Sequence, residues 1–169
     1  FESDGPVEMR YPDGTLELKT TIKNGKYDGR WEYFHQNGNL KIKGNYKNGK
    51  KEGPYEEYLE NGQLLKKGSH INGEKEGTWE DYFENGQLEF RGNYKNGKEH
   101  GFFEHFRDNG QLTRKGNVKN NKKEGLWEEF DINGQLTNKI NYKNGELVED
   151  ELKIEFGSTK DMSEKNNIK

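Results

Sequence analysis

With 35% charged and 27% hydrophobic side chains over 169 residues and a mean hydropathy of −1.41, the chain approaches the composition of a disordered polymer and lacks apolar material for a second layer. A net charge of −3 and the absence of cysteine leave no basic field for nucleic acid or anionic lipid, no disulfide and no thiolate-ligated metal. No apolar run is long enough to span a bilayer as a helix.

Aromatic residues placed at a fixed interval between turn signals argue against disorder. Six units of 24 residues start at Gly5, Gly29, Gly53, Gly77, Gly101 and Gly125. In each unit a first strand runs to a turn at Asp13-Gly14, Asn37-Gly38, Asn61-Gly62, Asn85-Gly86, Asn109-Gly110 or Asn133-Gly134. Asn-Gly is the strongest short hairpin signal, because a type I′ turn needs positive φ at both central residues. A second strand follows, and a looser turn at Asn24-Gly25, Asn48-Gly49, Asn72-Gly73, Asn96-Gly97, Asn120-Asn121 or Asn144-Gly145 leads into the next unit. In the fourth unit the strands are expected at 78–84 and 87–95. A last strand is expected over 147–156, and a disordered polar tail over 157–169. The fold class is therefore all-β: a single-layer, twisted antiparallel meander of 24-residue hairpin repeats spanning 5–156.

Counting outward from a two-residue loop at Asn37-Gly38 places His35 opposite Leu40, Phe34 opposite Lys41, Tyr33 opposite Ile42, Glu32 opposite Lys43 and Trp31 opposite Gly44. The same count gives Glu8/Lys19, Glu56/Lys67, Glu80/Arg91, Glu104/Lys115 and Glu128/Lys139, an opposite-charge rung in every unit. Each such pair is worth about 0.2–1 kcal/mol. The neighbouring rung sets an aromatic against glycine at Trp31/Gly44, Tyr55/Gly68, Trp79/Gly92 and Phe103/Gly116, where a ring can lie over bare backbone. Val7/Thr20 and Trp127/Ile140 depart from this, so both ends are expected to lack the packing. Alternation puts Trp31, Tyr33, Leu40, Ile42 and Tyr46, and equivalently Trp79, Phe83, Leu88, Phe90 and Tyr94, on one face. The Glu/Lys pairs share the other with Phe34, Tyr58, Tyr82, Phe106 and Phe130, unless a bulge between the aromatics brings both columns to one side.

The unit Gly-x-Trp-Glu-x-Tyr-x-x-Asn-Gly-Gln-Leu, continued by Lys-Gly-Asn-Tyr-Lys-Asn-Gly-Lys, resembles the MORN repeat (membrane occupation and recognition nexus), and is most similar to its second, bacterial-type variant. Residues 29–53, 53–77, 77–101 and 101–125 carry the resemblance best, and weaker copies extend it to about 5–150. It implies hairpin units in one elongated sheet and a protein-interaction role. Bacterial proteins with this variant are commonly labelled antitoxin or immunity components, and others are exported or surface-associated. The start at Phe1 fits a removed leader and leans toward a secreted or surface location, with the cytoplasm open. Membrane insertion finds no support in a slightly acidic charge balance.

No catalytic fingerprint, phosphate loop or cofactor motif is present. His100 and His105, with Glu99 and Glu104 beside them, would need a convergent loop and strand to hold a metal, and read instead as solvated substitutions at variable slots. The expectation is a non-enzymatic module with no cofactor and no metal. It would bind a protein partner through rings left partly exposed by a one-layer sheet: Trp31, Tyr55, Trp79, Tyr82, Phe103 and Trp127, with Glu80 and Arg91 on the rim. The alternative is a secreted or surface glycan-binding protein whose rings, about 10 Å apart across two strands, stack on sugars. A monomer or a weak edge-paired dimer fits either reading.

Overall fold

Both Asn-Gly series reverse the chain in the computed structural model, which describes residues 4–148, but they do so by different geometries. In the second series Asn24, Asn48, Asn72, Asn96 and Asn144 have φ between 50 and 53°, and the glycine after each is also positive. These are the type I′ turns, closed by pairs such as Lys23↔Lys26 and Lys47↔Lys50. In the first series only the glycine has positive φ, +86° at Gly38. The Gly38 N–H donates to the His35 carbonyl at 2.9 Å and the His35 N–H to Asn39 at 2.8 Å, a type I turn completed by a glycine bulge. Asparagine serves there through its side chain, because Asn37 Oδ1 accepts the Asn39 N–H at 2.9 Å, a contact repeated at Asn61, Asn85 and Asn109. The tight and loose turns are thus the reverse of the sequence expectation.

The expected rungs nevertheless form. The three-residue loop shifts the register by one, and a bulge at Lys41 shifts it back: Phe34 pairs with Leu40, but Tyr33 with Ile42, Glu32 with Lys43 and Trp31 with Gly44. The expected pairs His35/Leu40 and Phe34/Lys41 do not form. Leu40, and by the same bulge Leu88, which partners Tyr82, stand with the Phe34–Tyr82 column instead of on the face assigned to them.

The strands are β1 (Gly5–Arg10), β2 (Leu16–Lys23), β3 (Lys26–Tyr27), β4 (Gly29–Phe34), β5 (Leu40–Lys47), β6 (Lys50–Lys51), β7 (Gly53–Tyr58), β8 (Leu64–Ile71), β9 (Glu74–Tyr82), β10 (Leu88–Lys95), β11 (Lys98–Phe106), β12 (Leu112–Lys119), β13 (Lys122–Phe130), β14 (Leu136–Lys143) and β15 (Glu146–Leu147). They form one antiparallel sheet in chain order, with β3 on β2 and β6 on β5 as short lead-ins to β4 and β7. In the fourth unit the first strand is Glu74–Tyr82 and not 78–84, because the tight turn precedes it. Of the strand expected over 147–156, Leu147 belongs to β15; residues 149–156 and the tail from Gly157 lie outside the described residues.

The core is a seam between repeats. A Cβ on Gly68 would fall 2.1 Å from the Trp79 ring, one on Gly92 2.3 Å from Phe103, and one on Gly116 2.4 Å from Trp127. Each ring therefore lies over the glycine of the preceding repeat, not over its own hairpin partner. The indoles are pinned there by N–H donation from Trp79 to the Ser69 carbonyl at 3.2 Å and from Trp127 to the Asn117 carbonyl at 2.8 Å. Trp127, expected to lack this packing, has it. The ring without it is Trp31, whose preceding-repeat slot holds Thr20.

These distances predict unequal costs for the same substitution. Gly68→Ala must displace the buried Trp79 and is expected to cost about 1–3 kcal/mol, whereas at Gly44 the nearest atom, Tyr55 Cδ2, is 3.3 Å away and Ala should cost well under half of that. Urea unfolding midpoints of the two variants measure this; equal losses would contradict the seam.

Candidate functional site

Alternation gives the sheet two unlike faces, and the side chains singled out in the sequence divide between them. Tyr55 (8% exposed), Trp79 (1%), Phe103 (2%) and Trp127 (4%) are buried on one face. Their burial corrects the expectation that a one-layer sheet leaves these rings open. The rings lie down along the array, and lysine stems cover three of the four: the ammonium of Lys51 is 4.6 Å from the Tyr55 ring, that of Lys75 4.4 Å from Trp79 and that of Lys123 4.6 Å from Trp127. His70 fills the gap between Tyr55 and Trp79, at 5.2 and 4.9 Å. Trp31 is only half-buried, stacked on Tyr33 at 6.0 Å with its edge to Tyr46 at 5.8 Å.

The opposite face carries the charges. Counting within repeats found half of this pattern, because each basic residue is also in register with the glutamate of the next repeat: Lys19↔Glu32, Lys43↔Glu56, Lys67↔Glu80, Arg91↔Glu104 and Lys115↔Glu128. Together with the intra-repeat rungs this makes one alternating ladder from Glu8 to Lys139 across the sheet. Several ion pairs cross repeat boundaries, at 2.5 Å for Lys43–Glu56, 2.8 Å for Lys67–Glu80 and 3.2 Å for Lys115–Glu128. Tyr82 stands on this face, half-buried, its hydroxyl donating to Glu80 at 2.5 Å.

Glu80 is the best-held member of the ladder. It is 8% exposed, and accepts from Lys67 and from Arg91 Nε, each at 2.8 Å. Burial pushes its carboxyl up, but the hydrogen bonds from Lys67, Tyr82 and Arg91 outweigh it and hold the group at about 2. A carboxylate so saturated is a structural member, not a free recognition group. Arg91 remains half-exposed and reaches Glu104 at 3.7 Å.

Beside the ladder runs a shallow furrow. A depression of about 370 Å³ lies among Pro54, Glu56, Lys67, Ser69 and Thr78, and one of about 310 Å³ among Arg30, Lys43, Asn45 and Pro54. The slot of Arg30, Pro54 and Thr78 is filled in the next repeats by Phe102 and Leu126, which are 42% and 49% exposed. Sequence reasoning passed over both; their period-2 offset from Glu104 and Glu128 was the signal available. Among the described residues no three histidine or carboxylate side chains converge on a metal-binding geometry. His105 lies against the Phe90 ring at 5.0 Å, and no helix is long and apolar enough to cross a membrane.

Compared with known proteins, the chain matches the sequence profile of a family described as MORN repeat variant at residues 27–48, 51–72, 75–96 and 123–144. The copy at 101–125, which by residues carries the resemblance as well as its neighbours, is not among these segments. No curated protein matches the chain. Among solved structures, a crystal structure of a mutant TarM from S. aureus in complex with fondaparinux, alpha-GlcNAc-glycerol and UDP is similar over 71% of this chain at 12% identity, with a TM-score of 0.33. The chain covers 21% of that protein.

The buried His70 and the half-buried His105 make a pH prediction. Burial, reinforced by Lys51 and Lys75, lowers His70 from 6.5 to about 4, and burial with Arg114 and Lys123 does the same to His105. Between those values the unfolded chain binds protons that the folded one refuses, so stability is full above pH 6.5 and falls as the pH drops toward 4. Glu80, depressed from 4.5 to about 2, extends the loss below pH 4.5. Urea midpoints should decline across pH 6.5–4, with a shallower slope in His70→Phe and shallower still with His105→Phe added; an unchanged slope in the double variant would contradict the assignment.

Proposed function

The chain belongs to the MORN repeat variant family, whose matched segments make up half of its length, and from that premise we propose that it is a non-enzymatic protein-binding module working through its ladder face. The exposure of Phe102 and Leu126 on that face is the observation that carries the reading. Each sits next to an opposite-charge rung, Glu104/Lys115 and Glu128/Lys139. Large apolar anchors bordered by charges of both signs have the make-up of an interface centre with its polar rim. The furrow past Thr78, Pro54 and Arg30 extends the surface across further repeats. The anchors are thus Phe102, Leu126 and Arg91, with Tyr82 alongside, in place of Tyr55, Trp79, Phe103 and Trp127, which are spent on the seam.

Within this role we favour an antitoxin- or immunity-type function for the chain itself, in keeping with its slight acidity (−3) and with a face suited to covering another protein's surface. Sugar stacking requires ring faces open to solvent, and the burial of the seam rings lends it no support.

A photo-crosslinking residue placed at Phe102 or Leu126 in the source cells should yield discrete protein adducts, while the same probe at the exposed Met9 should not. Phe102→Ala combined with Leu126→Ala should leave the unfolding midpoint within error and weaken binding of the partner so identified by about tenfold or more. Equal adducts at Met9, or saturable binding to a polysaccharide without protein adducts, would overturn the reading.

A further inference from the structure

The repeat beginning at Lys98 departs from its neighbours at three contacts. Lys51, Lys75 and Lys123 place an ammonium 4.4–4.6 Å from a seam ring; the equivalent residue here is Glu99. The carboxylates of Asp28, Glu52, Glu76 and Glu124 accept the N–H of the asparagine one turn on, at 2.8–3.0 Å; here the slot holds His100, whose buried Nδ1 has no partner. The turn glycine is replaced by Asn121, at φ 65°, whose Oδ1 accepts the Glu99 N–H at 2.8 Å. The corresponding stretch, 99–120, lies between the segments that match the family profile. Where a regular array breaks its own local rules at one place, function is the first explanation to test.

Two of these departures, Glu99 and Asn121, line one cavity on the ring face. It measures about 290 Å³ and is walled by Phe90, Phe103 and Trp127, with Arg114 and Lys123 as its cations. That volume stands at the lower end of small-molecule sites, and its lining is divided between apolar and polar side chains. Neither the Glu99 carboxylate nor the Arg114 guanidinium is in an ion pair among the described residues. His105, also in the lining, is neutral at pH 7 because burial holds it near 4, so it contributes hydrogen bonding and no third positive charge. The cavity therefore offers one carboxylate, two cations and aromatic walls.

We propose that this cavity binds a free α-amino acid with an aromatic or branched apolar side chain. Its ammonium takes the place that lysine occupies in the neighbouring repeats, with Glu99 as counter-ion. Its carboxylate is matched by Arg114 and Lys123, and its side chain by the partly exposed Phe90, behind which the buried Phe103 and Trp127 form the floor. The site lies on the face opposite Phe102 and Leu126, so it stands or falls independently of the protein-binding surface.

Titration calorimetry of the full chain with L-tryptophan, L-phenylalanine and L-leucine tests this, with tryptamine and indole-3-acetate as probes lacking one charge each. At least one of the amino acids should bind saturably at one site, and the two probes should each bind about tenfold more weakly than tryptophan. Glu99→Lys restores the lysine of the neighbouring repeats at 51, 75 and 123; it should keep or raise the unfolding temperature while weakening binding about tenfold or more. Arg114→Gln should weaken tryptophan but leave tryptamine unchanged. The proposal is overturned if none of the three amino acids binds, if tryptamine and indole-3-acetate match tryptophan, or if Glu99→Lys binds as well as the natural chain.

Discussion

A ring laid over the glycine of the preceding repeat is the contact on which the rest of this structure depends. Neither partner works within its own hairpin. The glycine provides a bare patch of backbone, the ring arrives from the next unit, and the indole N–H of Trp79 or Trp127 bonds the carbonyl just past that glycine. A hairpin of this composition buries too little alone, so folding is a property of joints between units. The strands follow the same order as the joints. After the tight turn the chain breaks at Asp28 and Glu52, where the seat is Thr20 or the looser Gly44. It runs unbroken through β9, β11 and β13, where Trp79, Phe103 and Trp127 fit closely over glycine.

This use of the rings decides what remains for recognition. An array with 27% hydrophobic residues that commits its largest side chains to the seam has little apolar surface left. Met9, Ile71, Ile132, Leu147 and Val148 are exposed as well as Phe102 and Leu126. Phe102 and Leu126, however, recur at one slot of adjacent repeats, well inside β11 and β13, and the other face carries the cavity under Glu99. The ladder contributes alternating sign more than energy, since exposed pairs are weak. Its value lies in fixing register across every joint, since a slip along the strand would part each glutamate from its lysine or arginine. Glu80, gripped by Lys67, Tyr82 and Arg91, is where that constraint is tightest.

Much of the fold was legible because errors in the turn cancelled. A glycine bulge at Gly38 and a second bulge at Lys41 offset one another, so rungs counted from a two-residue loop were right although the loop was not. Leu40 and Leu88, lying between the two bulges, were the residues assigned to the wrong face. The inter-repeat half of the ladder was hidden by a larger bulge: Gly92 pairs with Phe103 while Tyr94 pairs with Glu99, leaving three residues around Gly101 opposite Asn93. A glycine shortly after an acidic residue, with positive φ at Gly53, Gly77 and Gly101, was the available sign of that bulge. Ring burial was missed for the same reason, since its seat lies across the boundary that the count did not cross. Trp127 held the clue, having Ile140 in its own hairpin but Gly116 one repeat before.

Native-state hydrogen exchange, resolved strand by strand, tests the central claim most directly. If ring-over-glycine joints hold the array, the slowest-exchanging amides lie in β8 to β13, around Trp79, Phe103 and Trp127. Protection then falls toward the β2–β4 joint, where Trp31 meets Thr20. Uniform protection across the repeats, or a maximum at β2–β4, would contradict it.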